Sequence, residues 1–143
     1  MVSRFRSAIA LLALAAVGAT ACGTASADPG SADPVLRTVN VTIHYSHFDP
    51  SSFSFPPGTT VRFVVRNTDP IDHEFIVGDQ AVQDAHESGT EAYHPPRPGE
   101  MTVLAGTTRA TIVTFARPGS LIFGCHLPGH YAYGMHGLVT IAG

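Results

Sequence analysis

The chain has 143 residues, of which 44% are hydrophobic, and a formal net charge of −3. This length fits one small domain with a core large enough to fold alone. All eleven acidic residues follow Ala27, lysine is absent, and six of the eight arginines lie in that part, so 6 − 11 leaves it at −5. An acidic balance argues against binding nucleic acid, whose phosphates need a basic surface. It suits a basic or neutral partner, and equally a solvated surface that keeps a small domain soluble.

Residues 1–27 have the pattern of an export signal peptide. Arg4 and Arg6 supply the charged start, and an almost unbroken apolar run over residues 8–21 follows. A membrane span needs about 20 apolar residues, so this run is too short, and no later segment approaches that length. We therefore expect an exported protein without a transmembrane span, in the periplasm, the cell envelope or the extracellular space.

Two cleavage sites compete at the end of this signal. Ala25-Ser26-Ala27 is a small-residue site that would release the chain at Asp28. The alternative is a lipoprotein signal that ends at residue 21 and leaves Cys22 as a lipid anchor. It lacks the usual leucine three residues before the cysteine, but cysteine is rare in this chain. Both alternatives stay open, and both predict export.

Short strands follow a flexible tether at residues 28–36, which is rich in turn formers. Residues 37–143 are predicted to form one domain, in which apolar and polar residues alternate with the period of a half-buried strand. We predict strands at residues 39–45, 53–55, 61–65, 73–77, 101–104, 110–115, 121–124 and 137–142. Seven or eight short strands with frequent turns indicate an all-β fold, a Greek-key antiparallel β-sandwich.

The strand pattern stops over residues 78–99, where polar residues and prolines replace it. The segment includes His86 and His94, and we expect a long loop with one helical turn near residues 81–86. Long loops in compact domains are functional or mobile, and the sequence does not distinguish these two cases.

Three metal-binding side chains stand at fixed spacing near the end of the chain. Four residues separate Cys125 from His130, and four more separate His130 from Met135. A thiolate with a thioether favours copper over zinc, calcium or magnesium, and two imidazoles, one thiolate and a weak axial methionine make a blue-copper electron-transfer site. The second imidazole has a candidate in His73, at the start of a predicted strand. The residues therefore predict one copper ion held by His73, Cys125, His130 and Met135.

The cysteine count supports a metal at this position. Cys22 is either removed or acylated, so Cys125 is the one thiol left, and a disulfide framework is excluded. A free thiol outside the cytoplasm is open to oxidation. A bond to a metal ion explains why an exported protein keeps it.

The segment from Phe123 to His130, with Gly134-Met135 and Gly137 after it, resembles the cupredoxin family of type 1 blue copper proteins, especially bacterial plastocyanin- and azurin-like domains. The spacing Cys-x4-His-x4-Met resembles the rusticyanin and sulfocyanin branch. The stretch over residues 72–78 is also similar to the first-ligand strand of small bacterial cupredoxins. The resemblance covers roughly residues 38–142.

This resemblance implies a cupredoxin-like sandwich with one type 1 copper ion on His73, Cys125, His130 and axial Met135. One position departs from the family pattern. Many blue copper proteins carry Asn or Ser directly after the first histidine, where it helps to fix the ligand loops, whereas this chain has Glu74. Hydrogen bonds from neighbouring residues to the metal ligands tune both metal affinity and redox potential. Because Glu74 changes one of these neighbours, the sequence does not predict the redox potential.

Other chemistries fit these residues less well. A zinc site on Cys125, His126 and His130 leaves the methionine without a role, and neighbours on a strand point to opposite sides. A Cys-His nucleophile also leaves the methionine unexplained, and a binuclear copper centre needs a second nearby cysteine. His126 is expected on the surface or beside the site. The remaining histidines match no metal motif, although His136 lies next to Met135.

We therefore expect an exported one-electron carrier that is not an enzyme and whose redox partner proteins dock near His130. The alternative is a periplasmic or cell-surface copper carrier, or a copper-resistance protein, on the same fold. A monomer without nucleic acid is expected in both cases. The partner's identity is not written in the sequence.

Overall fold

The structure is a computed structural model that describes residues 36–89 and 97–143. The predicted signal peptide, both cleavage sites and almost all of the tether lie outside the described residues, as does His94. The described residues contain nine strands and one helix. They are β1 (Leu36–His44), β2 (His47–Asp49), β3 (Ser52–Phe55), β4 (Thr59–Asn67), β5 (His73–Gly78), α1 (Gln80–Glu87), β6 (Glu100–Val103), β7 (Thr108–Phe115), β8 (Gly119–Gly124) and β9 (His136–Ile141).

The strands form two sheets, one with the order β2-β1-β4-β7 and one with the order β3-β9-β8-β5-β6. The predicted all-β sandwich is confirmed. Two details differ, because β1 pairs with β4 and β3 pairs with β9 in parallel, and nine strands replace the expected seven or eight. Alternation shows which side chains are buried but not which way a strand runs. β2 has only three residues, too few to show a period.

The core lies between the two sheets and is rich in phenylalanine. Along β4, Val61, Phe63 and Val65 are fully buried while Arg62 and Arg66 are exposed, as a half-buried strand requires. The Phe63 ring lies 5.3 Å from the Phe75 ring of the other sheet and 5.7 Å from the Phe53 ring, measured between centroids. Such tilted and edge-on contacts are favourable arrangements of aromatic rings.

Helix α1 is longer than the single turn expected near residues 81–86, because it has a well-formed N-terminus. The Asp79 side chain accepts the Val82 N–H at 3.0 Å. It thereby pairs one of the backbone N–H groups of the first turn that have no carbonyl partner within the helix. The helix packs on β5 and β8 through a buried glutamine, Gln83. Its amide nitrogen, which has two hydrogens, lies within hydrogen-bond distance of three strand carbonyls, those of Ile122 (3.1 Å), Ile76 (3.3 Å) and Gly78 (3.4 Å). Within residues 36–89 and 97–143, no helix is long and apolar enough to span a membrane.

Candidate metal centre

Three strand ends bring the predicted ligands to one end of the five-stranded sheet. His73 is the first residue of β5, Cys125 directly follows β8, and Met135 directly precedes β9. Because β8 lies between β5 and β9 in the sheet, these three positions are neighbours. The connecting loop that carries His130 is closed by backbone bonds from Cys125 N–H to the Met135 carbonyl (3.1 Å) and from Met135 N–H to the His130 carbonyl (3.0 Å).

The thiol and two imidazoles meet in a cluster that is the right size for one metal ion. The Cys125 Sγ lies 3.4 Å from His130 Nδ1 and 3.9 Å from His73 Nδ1, and the ligand atoms of the three residues all lie within 4.8 Å of one another. Metal bonds of about 2.0–2.3 Å to nitrogen and sulfur place such atoms roughly 3.5 Å apart. His73 and Cys125 are fully buried and His130 is partly exposed. The cluster therefore fits one metal ion at the protein's edge.

The thiol of this cluster keeps its proton in the metal-free protein. Burial raises the pKa of Cys125 from 9.0 to about 11, against the opposing effect of two N–H donors, those of Glu74 and Leu127. The Glu74 N–H lies 3.3 Å from the sulfur. A metal ligand must be a thiolate, so metal binding at neutral pH has to displace this proton.

The His73 ring is held in a defined orientation by a buried carboxylate. Its Nε2 lies 2.9 Å from the Asp69 Oδ2, which leaves Nδ1 facing Cys125. Burial lowers the pKa of His73, although Asp69 acts in the opposite direction. Burial also opposes ionisation of Asp69, yet N–H donors at Ser46 and Tyr45, together with His73, keep the pKa of Asp69 below its ordinary value. A neutral imidazole beside a charged carboxylate suits a metal ligand.

The fourth predicted ligand, Met135, lies beside this cluster in the chain and has a fully buried side chain. The Met135 backbone closes the loop that carries His130, through its bonds to Cys125 and His130. Its role as the axial ligand stays a prediction.

The model of the plastocyanin/azurin family of copper binding proteins matches residues 37–142. The chain belongs to this family. Its cofactor is copper, in keeping with the one thiol and two imidazoles that the fold brings together. The predicted resemblance to cupredoxins is confirmed.

Two named relatives cover most of the chain. A copper-resistant cuproprotein CopI from Rubrivivax gelatinosus is 37% identical over 79% of this chain and 71% of its own length. Auracyanin-B from Chloroflexus aurantiacus is 32% identical over 89% of this chain and 63% of its own. Among solved structures, reduced auracyanin from Roseiflexus castenholzii has a TM-score of 0.64 at 23% identity, over 74% of this chain and 97% of that one. This last likeness shows the cupredoxin fold.

Glu74, the residue that departs from the cupredoxin pattern, connects β5, the strand that begins with His73, to the loop between β8 and β9 that carries His130. Its side chain is buried, and its Oε2 accepts the His126 N–H at 3.0 Å. Its own N–H points to the sulfur of Cys125, so this one residue contacts the loop from both backbone and side chain. The carboxylate thus makes a connection of the kind that Asn or Ser is expected to make. Sequence reasoning identified the position but not this contact.

His126 lies on the other side of the strand end from the copper ligands, as its position next to Cys125 predicts. Its Nδ1 lies 2.9 Å from Glu87 Oε2 and its Nε2 lies 2.7 Å from Gln83 Oε1. The ring stacks on Tyr131, with centroids 4.7 Å apart. Helix α1 therefore engages both ring nitrogens, which contradicts the zinc alternative built on His126. Across residues 36–89 and 97–143, the cluster of His73, Cys125 and His130 is the one group of three or more His, Cys, Asp or Glu side chains that could hold a metal ion.

Proposed function

We propose that this cupredoxin is an exported one-electron carrier with a type 1 copper ion on His73 Nδ1, Cys125 Sγ, His130 Nδ1 and, axially, Met135. The observation that carries the proposal is the assembled cluster. The sulfur and the two imidazoles offer ligand atoms within 4.8 Å of one another, and Asp69 in the β4–β5 turn and the Glu74 N–H in β5 contact the His73 ring and the Cys125 sulfur. A site held by the fold changes little between oxidation states, and low reorganisation suits electron transfer.

Copper bound there would supply a one-electron couple between Cu(II) and Cu(I). The protein's part is to exclude water and to leave one path for the electron. His73 and Cys125 are buried, whereas His130 is partly exposed. The His130 ring is therefore the proposed port. The proposal includes no substrate chemistry.

The proposed partner site is the apolar surface around this port. Tyr133 has 88% of its surface exposed, Pro128 is exposed, and Leu127 is partly buried. Weak redox encounters bury little area, so a small face is sufficient. The partner is a redox protein that docks there on a monomer outside the cytoplasm.

The copper assignment is tested by visible absorption and electron paramagnetic resonance after one equivalent of Cu(II) is added to the purified protein. We expect an intense thiolate-to-copper band with a narrow copper hyperfine splitting. Cys125→Ser should abolish the band, whereas His47→Ala, which changes an exposed histidine outside the cluster, should leave it intact. A band that survives in the Cys125 variant would refute the assignment.

The port is tested by electron self-exchange between reduced and oxidised protein, measured from NMR line broadening. Tyr133→Glu and Leu127→Lys should slow the exchange and leave the copper spectrum unchanged. Ile112→Lys is the matched control, because Ile112 is an exposed apolar residue, 49% accessible, on β7 in the other sheet. Equal rates in all the variants would show that electrons leave elsewhere.

The second candidate function is copper carriage or resistance, and the similarity to the copper-resistant cuproprotein CopI favours it. Both candidates require copper at the same position. They differ in what leaves the site, an electron from an electron carrier and the Cu(I) ion itself from a copper carrier. An electron carrier should show a reversible redox couple and retain Cu(I) when a chelator is added. A copper carrier should transfer Cu(I) rapidly to the chelator.

A further inference from the structure

The turn between β4 and β5 contains a buried carboxylate next to a proposed copper ligand. The Asp69 side chain is 7% exposed, and its Oδ2 lies 2.9 Å from His73 Nε2. The same carboxylate accepts the Tyr45 N–H at 2.7 Å through Oδ1 and the Ser46 N–H at 2.8 Å through Oδ2. It therefore gathers three N–H donors, two from the β1–β2 turn and one from the ligand ring. Carboxylates with this many donors are stabilised in the ionised form.

Two local structures keep this carboxylate in place. The Asn67 side chain accepts the Asp69 N–H at 2.9 Å and donates to the Ile71 and Val103 carbonyls at 2.8 and 2.9 Å. On the other side, Tyr45 and Ser46 have φ angles of 50° and 56°, left-handed values that are uncommon outside glycine. Their N–H groups both point to Asp69. The β1–β2 turn, Asn67 at the end of β4 and, through Asn67, Val103 in β6 thus hold the Asp69 carboxylate in place.

We propose that Asp69 is a positioning residue for the copper site: it orients the His73 ring with Nδ1 toward Cys125, and its negative charge favours Cu(II) over Cu(I). The inference rests on the proposed function for the identity of His73 as a ligand. A carboxylate bound to the second nitrogen of a ligating histidine fixes the ring and increases its basicity. A nearby negative charge stabilises the more positive oxidation state, and low exposure reduces screening of that effect.

Asp72 offers a matched control for charge without contact. It lies one residue before His73, is exposed, and accepts the Ala105 N–H through Oδ1 at 2.8 Å, whereas Asp69 contacts the ring itself. Asp69→Asn and Asp72→Asn each remove one negative charge close to His73. A purely general charge effect changes both variants alike. A contact effect is confined to Asp69→Asn.

The experiment measures the dissociation constants of Cu(II) and Cu(I) by chelator competition, and the reduction potential, in the wild type and both variants. Asp69→Asn should weaken Cu(II) binding about 10–100-fold, a typical effect of losing such a partner, with a smaller loss for Cu(I). Each tenfold difference between the two losses raises the potential by about 59 mV. Asp72→Asn should change either constant by less than about threefold, since its carboxylate is exposed and screened.

Two results would overturn the proposal. If Asp69→Asn weakens both oxidation states equally, the Asp69 charge does not favour Cu(II) over Cu(I), and that part of the proposal is wrong. If Asp72→Asn reproduces the full shift, contact with His73 is not the cause. Asp69→Ser, which keeps a hydroxyl acceptor, replaces Asp69→Asn if the latter does not fold.

A measurement without copper separates this inference from the proposed function. In metal-free protein, 15N NMR of the histidine rings should show His73 protonated at Nε2 in the wild type and at a mixture of both nitrogens in Asp69→Asn. An unchanged tautomer in the variant refutes the positioning role even if the protein is an electron carrier. A changed tautomer in a protein that shows no blue band refutes the proposed function and leaves the orientation of His73 by Asp69 established.

Discussion

The buried thiol of Cys125 predicts that the metal-free protein loses stability in alkaline solution. Burial raises the pKa of this thiol from 9.0 to about 11. The unfolded chain therefore releases the proton about two pH units before the folded chain does. Below pH 9 both states are protonated and the full stabilisation is present. As the pH rises from 9 through 11, only the unfolded state gains by ionising, so the stabilisation is lost.

Each unit of pKa difference corresponds to about 1.4 kcal/mol, so the total effect is about 2–3 kcal/mol. Folded small domains are stable by only about 5–15 kcal/mol, so a change of this size is measurable. The sign follows from proton binding, because the folded state holds more protons than the unfolded state within this range. Copper binding at neutral pH should also release about one proton.

The assay is urea denaturation of the metal-free, reduced protein at pH values from 7 to 11, beside Cys125→Ser. The serine variant has no thiol, so groups that titrate in both proteins cancel in the difference. We expect the difference between their free energies of unfolding to change by about 2 kcal/mol between pH 8 and 11, in the direction of a less stable wild type. Parallel curves over this range would refute the reasoning, because they would show that Cys125 ionises alike in both states.

Three further predictions concern the free energy of unfolding, measured by urea denaturation. Gly137→Ala should cost about 1–3 kcal/mol, because the added methyl overlaps the Phe123 ring and the Ser51 carbonyl oxygen; an unchanged midpoint would contradict this. Phe63→Ala, at the centre of the aromatic core, should cost about 3–5 kcal/mol. Gln83→Leu should cost about 1–3 kcal/mol by leaving strand carbonyls without their donor, and a stabilised variant would contradict that account.

The strands were predictable where apolar and polar residues alternate for long enough. The alternation of residues 61–65 lies within β4 (Thr59–Asn67), whereas β2 (His47–Asp49) is too short to show a period. The parallel pairing of β1 with β4 was not predictable, since alternation carries no direction. Helix α1 was underestimated because its buried residue is Gln83, a polar side chain that an apolar pattern does not reveal.

The sequence by itself predicted a donor set for the site, and the fold brings three of its members, His73, Cys125 and His130, together. Cys125, His130 and Met135 stand at a spacing that one loop can present, and thiolate with imidazole and thioether selects a metal by chemistry alone. That set and His73 were predicted from the sequence alone, and the axial role of Met135 stays a prediction. The family match agrees with the copper that these residues predict.

Only the tertiary structure decided what surrounds this donor set. Glu74 and the His126 N–H are 52 positions apart along the chain, and Asp69 and the Tyr45 N–H are 24 apart. No local pattern records such partners, because they meet only when strand ends and turns that are remote in the chain come together. Ligand identity is a property of side chains, which a sequence states directly. Ligand orientation and the surrounding charge are properties of distance, and distance between remote residues exists only in the folded chain.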